Sequence, residues 1–361
     1  MIESIKDLRS RLENKIKSSS NIFILGHNSP DFDAIGSSIG LFALAESLGK
    51  KAYIIVDDEE SRIEPGVKRI IDENRGKYRI CKKEKFLKMA DANSLVILTD
   101  VNKKHMISIG DYIDRIKNVI IIDHHSEDAE SVKTDDKYIS LDTSSASEVV
   151  SRVLFDGKVQ IDANVANYLL AGISLDTKRF KQSTTSITHD VAEKLIDQGA
   201  DVDYVNNLFL EEFESFCRIS NLIINGTIIK KYSESLAPIQ VSFTLNRNHP
   251  EEIYIKEDFA KAADRMMKFN GVDAAFALGF VEPGIIHISA RGAKKVNVGK
   301  IMTEMKGGGN AQSAGGRIVG DDVFSVEEDL MSKIQFGLSE EEPLVDEPQV
   351  IKVKQIKKEK K

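Results

Sequence analysis

The sequence predicts an α/β protein in which a parallel-sheet domain is joined by a helical linker to a smaller α/β domain. Three observations predict it. At 361 residues the chain is longer than the ~250–300 at which single cores usually stop growing. From Asn21 to about Ala200, short β-branched runs alternate with helical patterns. After a helical stretch at 201–226, the pattern becomes that of a second, smaller unit.

Taken in order, "MIESIKDLRSRLENKIKSSS" reads as a charged amphipathic helix and lacks the apolar core of a secretory signal. "NIFILG", "KAYIIVD", "SLVILTD" and "NVIIID" read as strands, and "IGLFALAESLG" and "ASEVVSRVLF" as helices. Nearly continuous apolar strands separated by helices indicate a parallel sheet covered on both faces. "DVDYVNNLFLEEFESFCRISNLIING" reads as one long connecting helix. Beyond it come "GTIIKKYSESLAPIQVSFTL", a helix "KEDFAKAADRMMKF", and strands "AAFALGFV" and "GIIHISAR". The segment from about Glu340 is charge-segregated and predicts a disordered tail. These divisions place the domains at 1–205 and 227–337, the linker at 206–226 and the tail at 338–361.

A charged fraction of 30% and an apolar fraction of 41% are those of a globular protein, and no apolar run approaches the ~20 residues of a membrane span. The expected location is cytoplasmic. Two cysteines, Cys81 and Cys217, have no metal-ligand spacing and predict no disulfide framework. A net charge of −7 disfavours long nucleic acid as a partner and leaves room for a small phosphorylated substrate.

Four apolar runs end in ligand-type residues. "IFILG" leads into His27, Asp31 and Asp33; "SLVILT" ends in Asp100; "NVIII" in Asp123, His124 and His125; and "LLAGISL" in Asp176. The carboxyl ends of parallel strands form one edge, where ligand sites lie, so these residues are expected to converge. Five carboxylates and three imidazoles in one place would repel one another unless divalent cations neutralised them. His27, Asp31, Asp33, Asp100, His124 and Asp176 make six ligands, too many for a tetrahedral zinc site and suited to two ions sharing a carboxylate. Mixed imidazole and carboxylate ligation favours Mn²⁺, with Fe²⁺, Co²⁺ or Mg²⁺ as alternatives. Two such ions clamp a phosphoryl group and acidify a bridging water, which implies phosphoester hydrolysis.

Any one of these aspartates alone would read as a turn former or N-cap; four strand ends together argue otherwise. Gly36 and Ser37 divide evenly between packing and an anion site at a helix N-terminus. "SSASE", with Ser145 three before Glu148, reads as a capping box. His105, His189 and His249 read as surface residues, and His287, alternating with apolar neighbours in a strand, as solvent-facing.

"GHNSPDFDAIGSSIG", "ILTD", "IIDHH" and "AGISLDTKRF" resemble, in order and spacing, the four motifs of the DHH phosphoesterases. Within that family the chain is most similar to the catalytic region of the GdpP-type cyclic-di-AMP phosphodiesterases, over roughly residues 15–335. The resemblance implies one metal on His27, Asp31 and Asp100 and another on Asp33, Asp100, His124 and Asp176, with Asp100 bridging. It also implies that Asp123 orients ligands and that His125 sits beside the scissile phosphate as a catalytic group. The implied reaction is attack of a metal-bridging hydroxide on cyclic di-AMP, giving 5′-pApA.

The second domain resembles the DHH-associated substrate domain through "ISARG" with Arg291 and the run "KGGGNAQSAGG", which implies substrate contacts from Arg291, Gly307, Gly308, Gly309 and Asn310. Three features depart from the subgroup: Asn310 stands where histidine is usual, Gly292 where serine is, and Asn102 where a histidine follows the Asp100 motif. The resemblance further implies a homodimer, and either a naturally soluble enzyme or the cytosolic part of a membrane-anchored one. An alternative substrate class is short linear nucleotides, as for a nano-RNase or a 3′-phosphoadenosine 5′-phosphate phosphatase. A manganese-dependent pyrophosphatase and a non-hydrolysing nucleotide sensor are the remaining readings.

Overall fold

The structure is a computed structural model that describes residues 2–56, 63–231, 239–293, 296–337 and 349–352. It divides into two compact units, residues 1–210 and 211–361.

The first unit opens with α1 (Ile5–Ser18). The Ser4 hydroxyl caps it by accepting the Asp7 N–H, and Leu8, Leu12 and Ile16 bury one stripe at helical spacing. There follow β1 (Ile22–Leu25), α2 (Phe32–Ser47), β2 (Ala52–Ile55), α3 (Pro65–Asn74), β3 (Ile80–Cys81), α4 (Lys83–Met89), β4 (Leu95–Thr99), α5 (Gly110–Ile113), β5 (Asn118–Asp123) and β6 (Lys137–Ile139). Helices α6 (Ala146–Asp156), α7 (Ala163–Asp176), α8 (Ser186–Asp197) and α9 (Val202–Leu208) complete the unit.

Six strands form a wholly parallel sheet in the order β3-β2-β1-β4-β5-β6. The chain leaves β1 toward one edge and returns at β4 to build toward the other. The β1/β4 neighbourhood is therefore a topological switch point, where strand carboxyl ends open a crevice. Ile22, Phe23, Ile24 and Leu25 are all buried, because one face of the sheet packs on α1, α2 and α7 and the other on α4 and α5.

Helix α2 is buried along most of its length and runs against α7. A β-carbon on Gly36 would lie 2.3 Å from the Tyr168 carbonyl oxygen, so this glycine permits helix contact and is no anion site. Ser37 likewise turns inward, donating to the Asp33 carbonyl at 2.7 Å and accepting from the Thr99 hydroxyl at 2.9 Å.

Two sequence expectations change here. "LLAGISL" belongs to α7, so Asp176 ends a helix and no strand. An apolar run of that length is the same for a buried helix and a buried strand, and the Asp162 cap, ahead of the run, marks the start of the helix. The stretch 201–226 is two helices, α9 and α10 (Phe213–Ile224). Val205 and Leu208 bury in the first unit, whereas Ser215, Ile219 and Leu222 bury in the second, so the two halves of one amphipathic pattern serve different cores.

The second unit continues with β7 (Thr227–Lys231), β8 (Ile239–Thr244), α11 (Lys256–Met266), β9 (Ala274–Glu282), β10 (Ile285–Gly292), α12 (Val298–Glu304), β11 (Gly308–Gly309), β12 (Ser313–Val319), α13 (Val323–Gly337) and β13 (Gln349–Lys352). Its sheet runs β11-β12-β10-β9-β8-β7-β13, antiparallel except between β8 and β9. Along β9, Ala274, Phe276 and Leu278 pack toward α12 and α13, while Ala275 and Ala277 pack toward α10 and α11. Both faces are covered, which buries His287 at 7% exposure where a solvent-facing side chain was expected. Of the predicted disordered tail, residues 338–348 and 353–361 lie outside the described residues, whereas Gln349–Lys352 pair with β7.

Candidate metal centre

The residues after β1, β4 and β5 meet the end of α7 at the sheet's carboxyl edge. Asp31 caps α2, its Oδ1 accepting the N–H groups of Asp33 (2.8 Å) and Ala34 (3.0 Å) and leaving Oδ2 3.7 Å from His27 Nε2. His27 Nε2 also lies 3.6 Å from Asp100 Oδ2. On the other side of Asp100, His124 Nε2 lies 3.3 Å from Asp100 Oδ1, 3.3 Å from Asp176 Oδ2 and 3.8 Å from Asp33 Oδ2. Three overlapping groups result, His27–Asp31–Asp100, Asp33–His124–Asp176 and Asp100–Asp123–His124–His125, each with donor atoms within 4.8 Å of one another. Asp100 stands between the first two with φ +57, a left-handed conformation that aspartate tolerates better than bulky residues.

Three buried polar atoms here have no hydrogen-bond partner: Asp100 Oδ1, His124 Nε2 and Asp176 Oδ2. They face one another, and orphaned polar atoms of this kind are costly unless something satisfies them. Electrostatics agree. Burial, then the charges of Asp33, Asp31 and Asp176, push the Asp100 carboxyl well above its usual range. Burial and the charges of Asp33 and Asp31 push Asp176 up to about 10. Asp33 also moves up, chiefly through burial, and His124 moves down for the same reason. Asp31 stays low despite burial because of its contact with His27 and the two N–H groups. The donor set therefore fits divalent cations, whose charge would replace the protons that such a cluster otherwise retains.

Asp123 is wholly buried and holds the catalytic candidates in place. Its Oδ1 accepts the N–H groups of His124 (2.8 Å) and His125 (3.2 Å) and lies 2.9 Å from His125 Nδ1. Its Oδ2 accepts the Asn102 amide at 2.7 Å. Asn102 thus supports Asp123 from a neutral side chain, and its own Oδ1 accepts from Ser131 at 2.9 Å. The bond to Asp123 raises the basicity of the half-exposed His125 despite partial burial.

Sequence reasoning missed what holds Asp33. The N–H groups of Ala146 and Ser147, at the start of α6, donate to its Oδ2 and Oδ1, both at 2.7 Å. The capping motif "SSASE" was the available signal. Only half of the capping box forms: the Ser145 hydroxyl accepts the Glu148 N–H at 3.0 Å, while the Glu148 carboxylate turns to Ser144 and Thr188. Beside His124 and Asp176 lies a cleft of about 420 Å³ lined by the hydroxyl-bearing residues Thr143, Ser144, Ser183, Thr184 and Thr185. Among the other histidines, His105 pairs with Glu130, His189 stacks on Phe180, and none joins the centre.

The expected substrate residues belong to the second unit. Arg291 faces Ser313 across the sheet, so it shares one sheet end with the turn carrying Asn310. Its guanidinium pairs with Asp264 at 2.8 and 3.3 Å, a partly exposed contact that an anion can displace. Backbone packing explains two of the glycines. A β-carbon on Gly307 would lie 2.4 Å from the Gly315 oxygen, and Gly309 has φ +138 with Ala314 equally close; only Gly308 is open. Gly292 is explained the same way, by the Val296 oxygen 2.4 Å from where a β-carbon would be. The Asn310 side-chain Oδ1 folds a local turn, accepting the N–H groups of Gln312 (2.9 Å) and Ser313 (2.8 Å).

Comparison with known proteins adds the family. Residues 21–173 match the DHH family N-terminal domain, and residues 238–334 match the DHHA1 domain. The chain is 31% identical over 331 residues to a cyclic-di-AMP phosphodiesterase of Listeria monocytogenes, an alignment covering 90% of this chain and 48% of that protein. It thus spans about half the length of that relative. To a probable manganese-dependent inorganic pyrophosphatase of Streptococcus thermophilus it is 31% identical over 236 residues, covering 63% of this chain and 68% of the other. In fold it matches an exopolyphosphatase-related protein of Bacteroides fragilis, with TM-score 0.74 and 21% identity, covering 92% of this chain and 97% of that one. With both domain types matched in order, and with the acidic edge of its parallel sheet built as described, the chain belongs to the DHH family of phosphoesterases.

Proposed function

We propose that this chain hydrolyses cyclic di-AMP to 5′-pApA as a two-metal phosphodiesterase. The observation that carries the reading is the convergence of the unpartnered Asp100, His124 and Asp176 atoms beside an imidazole that Asp123 orients. His27, Asp31 and Asp100 would hold one divalent ion, and Asp33, Asp100, His124 and Asp176 the other, with Mn²⁺ as the preferred metal. When bound, the ions supply Lewis-acid stabilisation of phosphoryl charge and acidification of the attacking water.

The chain's own residues do the rest. Water oxygen adds to phosphorus, the bond from phosphorus to the 3′ oxygen breaks, and the 3′ oxygen needs a proton. His125, with Nδ1 against Asp123, carries that proton at Nε2. The cleft beside His124 and Asp176 has hydroxyl walls and no lysine or arginine among them, which suits a neutral sugar or base next to the scissile phosphate better than a second phosphoryl group. This favours a nucleotide ester over pyrophosphate. The likeness to the Listeria enzyme favours the cyclic dinucleotide. In the second unit, Arg291, Gly308 and the Asn310 amide nitrogen are the substrate-binding candidates, with Gly307 and Gly309 shaping the same turn.

A second reading, hydrolysis of short linear nucleotides, is favoured by Asn310 itself, since its side-chain Oδ1 is committed to its own turn. One experiment separates the two. The purified chain is incubated with Mn²⁺ and, in parallel, cyclic di-AMP, cyclic di-GMP, pApA, short RNA and 3′-phosphoadenosine 5′-phosphate, and products are resolved chromatographically. Rapid loss of cyclic di-AMP with pApA accumulating supports the proposal. Consumption of linear substrates while cyclic di-AMP persists overturns it.

A further inference from the structure

Glu148 is 1% exposed, and its use in the fold is larger than a helix cap requires. Its Oε2 accepts the Ser144 hydroxyl at 2.7 Å, the Ser144 N–H at 3.3 Å and the Thr188 hydroxyl at 2.8 Å. Ser144 lies in one wall of the hydroxyl-lined cleft. Thr188 belongs to another segment: it forms a reciprocal cap with Thr185, which also lines the cleft. One carboxylate therefore ties together two segments that are forty residues apart in sequence.

The same residue fixes the start of α6. Its N–H donates to Ser145, its carboxylate holds Ser144, and the next two N–H groups, of Ala146 and Ser147, are those that hold Asp33. Arg152, 3.7 Å from the other carboxylate oxygen, is the nearby cation. A helix end that presents two N–H groups to one carboxylate works only if the chain entering it is fixed.

We infer that Glu148 is a positioning residue that couples the Asp33 side of the metal centre to two segments lining the cleft, at Ser144 and at Thr185. It belongs to none of the candidate ligand groups. The inference rests on the phosphodiesterase reading for its effect on substrate, but its effect on metal stands apart from that reading.

The test measures Mn²⁺ affinity directly, by electron paramagnetic resonance titration of the whole chain, together with KM and kcat on cyclic di-AMP. Glu148→Ala is expected to weaken Mn²⁺ binding by about 10-fold or more and to raise KM. Glu148→Gln, whose amide oxygen can still accept from Ser144 and Thr188, is expected to keep the affinity. Thr188→Val cuts the link to the Thr185 segment while leaving Ser144 and Asp33 held, so KM rises and Mn²⁺ affinity does not change. A folded Glu148→Ala protein with unaltered Mn²⁺ affinity overturns the inference. If that variant does not fold, an unaltered KM in Thr188→Val overturns it. Should no nucleotide be hydrolysed at all, the proposed function fails, and the Mn²⁺ titrations still decide the role of Glu148.

Discussion

Gly172 on α7 lies so close to Asp33 on α2 that a β-carbon at 172 would sit 2.8 Å from Asp33 Oδ1 and 2.9 Å from its Cα. The same β-carbon would lie 2.3 Å from the Ser147 hydroxyl. Three helices thus meet at one carboxylate, and a missing side chain makes the room. Gly172→Ala should displace Asp33 or part α6 from α7. The expected cost is about 1–3 kcal/mol of stability from overpacking. Mn²⁺ affinity should fall with it, and denaturant unfolding with a parallel Mn²⁺ titration checks both. Unchanged values would mean that the helices can separate without disturbing Asp33.

Metal removal should show in thermal stability. A ligand bound only to the folded state adds about 2.7 kcal/mol at a hundredfold excess over Kd. Burial and neighbouring carboxylates raise Asp176 to about 10, so in the metal-free protein it keeps a proton that a cation must displace. A carboxyl raised on folding contributes stability below its unfolded value and loses it as pH rises toward its folded value. The metal-free protein should therefore weaken, and the gain in Tm on adding Mn²⁺ should grow, between pH 6 and pH 9. Asp176→Asn should remove most of that gain. Scanning fluorimetry with chelator or Mn²⁺ at several pH values measures it.

What could be read in the sequence was what local pattern carries. Four strands follow from β-branched runs, and the meeting of the ligand groups at one edge follows from three of them leading into His27, Asp100 and Asp123, because parallel strands leave no other place for those ends. The N–H groups holding Asp33 were not legible, since they are backbone atoms 113 residues away and any residue type supplies them. Gly172 and Gly36 were not legible as close approaches for a related reason: a glycine reports that room is needed, but the neighbour lies in another helix. Asp176 was assigned to the right cluster through the wrong element. His287 was misread because alternation gives the face of a strand without saying whether a helix covers that face.

His125 should matter in proportion to the leaving group. Asp123 Oδ1 at 2.9 Å from Nδ1 orients the ring and favours its protonated form. A general acid contributes typically 10²–10⁴-fold, and most when the departing oxygen is a poor leaving group. His125→Ala should reduce kcat on cyclic di-AMP by about that range, while hydrolysis of bis(p-nitrophenyl) phosphate, whose phenolate departs without a proton, should fall much less. Equal losses on both substrates would assign His125 to charge stabilisation instead. Asn102→Ala, which strips one donor from Asp123, should show a weaker version of the same split.

A share of the acid sensitivity should originate at His287 in the second unit. His287 is buried in β10 against Phe259 of α11, with Nε2 3.0 Å from the Ser289 hydroxyl. Burial, with the Lys256 charge nearby, pushes it down to about 4 from the ordinary 6.5. A histidine lowered on folding contributes stability that is present above its unfolded value and is lost as pH falls toward the folded one. Integrated between those two values, the loss from pH 7 to pH 5 is about 2 kcal/mol. Ser289 is the ring's hydrogen-bond partner, and glutamine can keep that bond without taking up a proton. His287→Gln should therefore unfold with a flatter pH dependence than the native chain, the two profiles diverging below about pH 6.5. Urea unfolding at pH 7, 6 and 5 compares them. Parallel profiles would place the acid sensitivity elsewhere and would require a partner that stabilises the imidazolium inside this sheet.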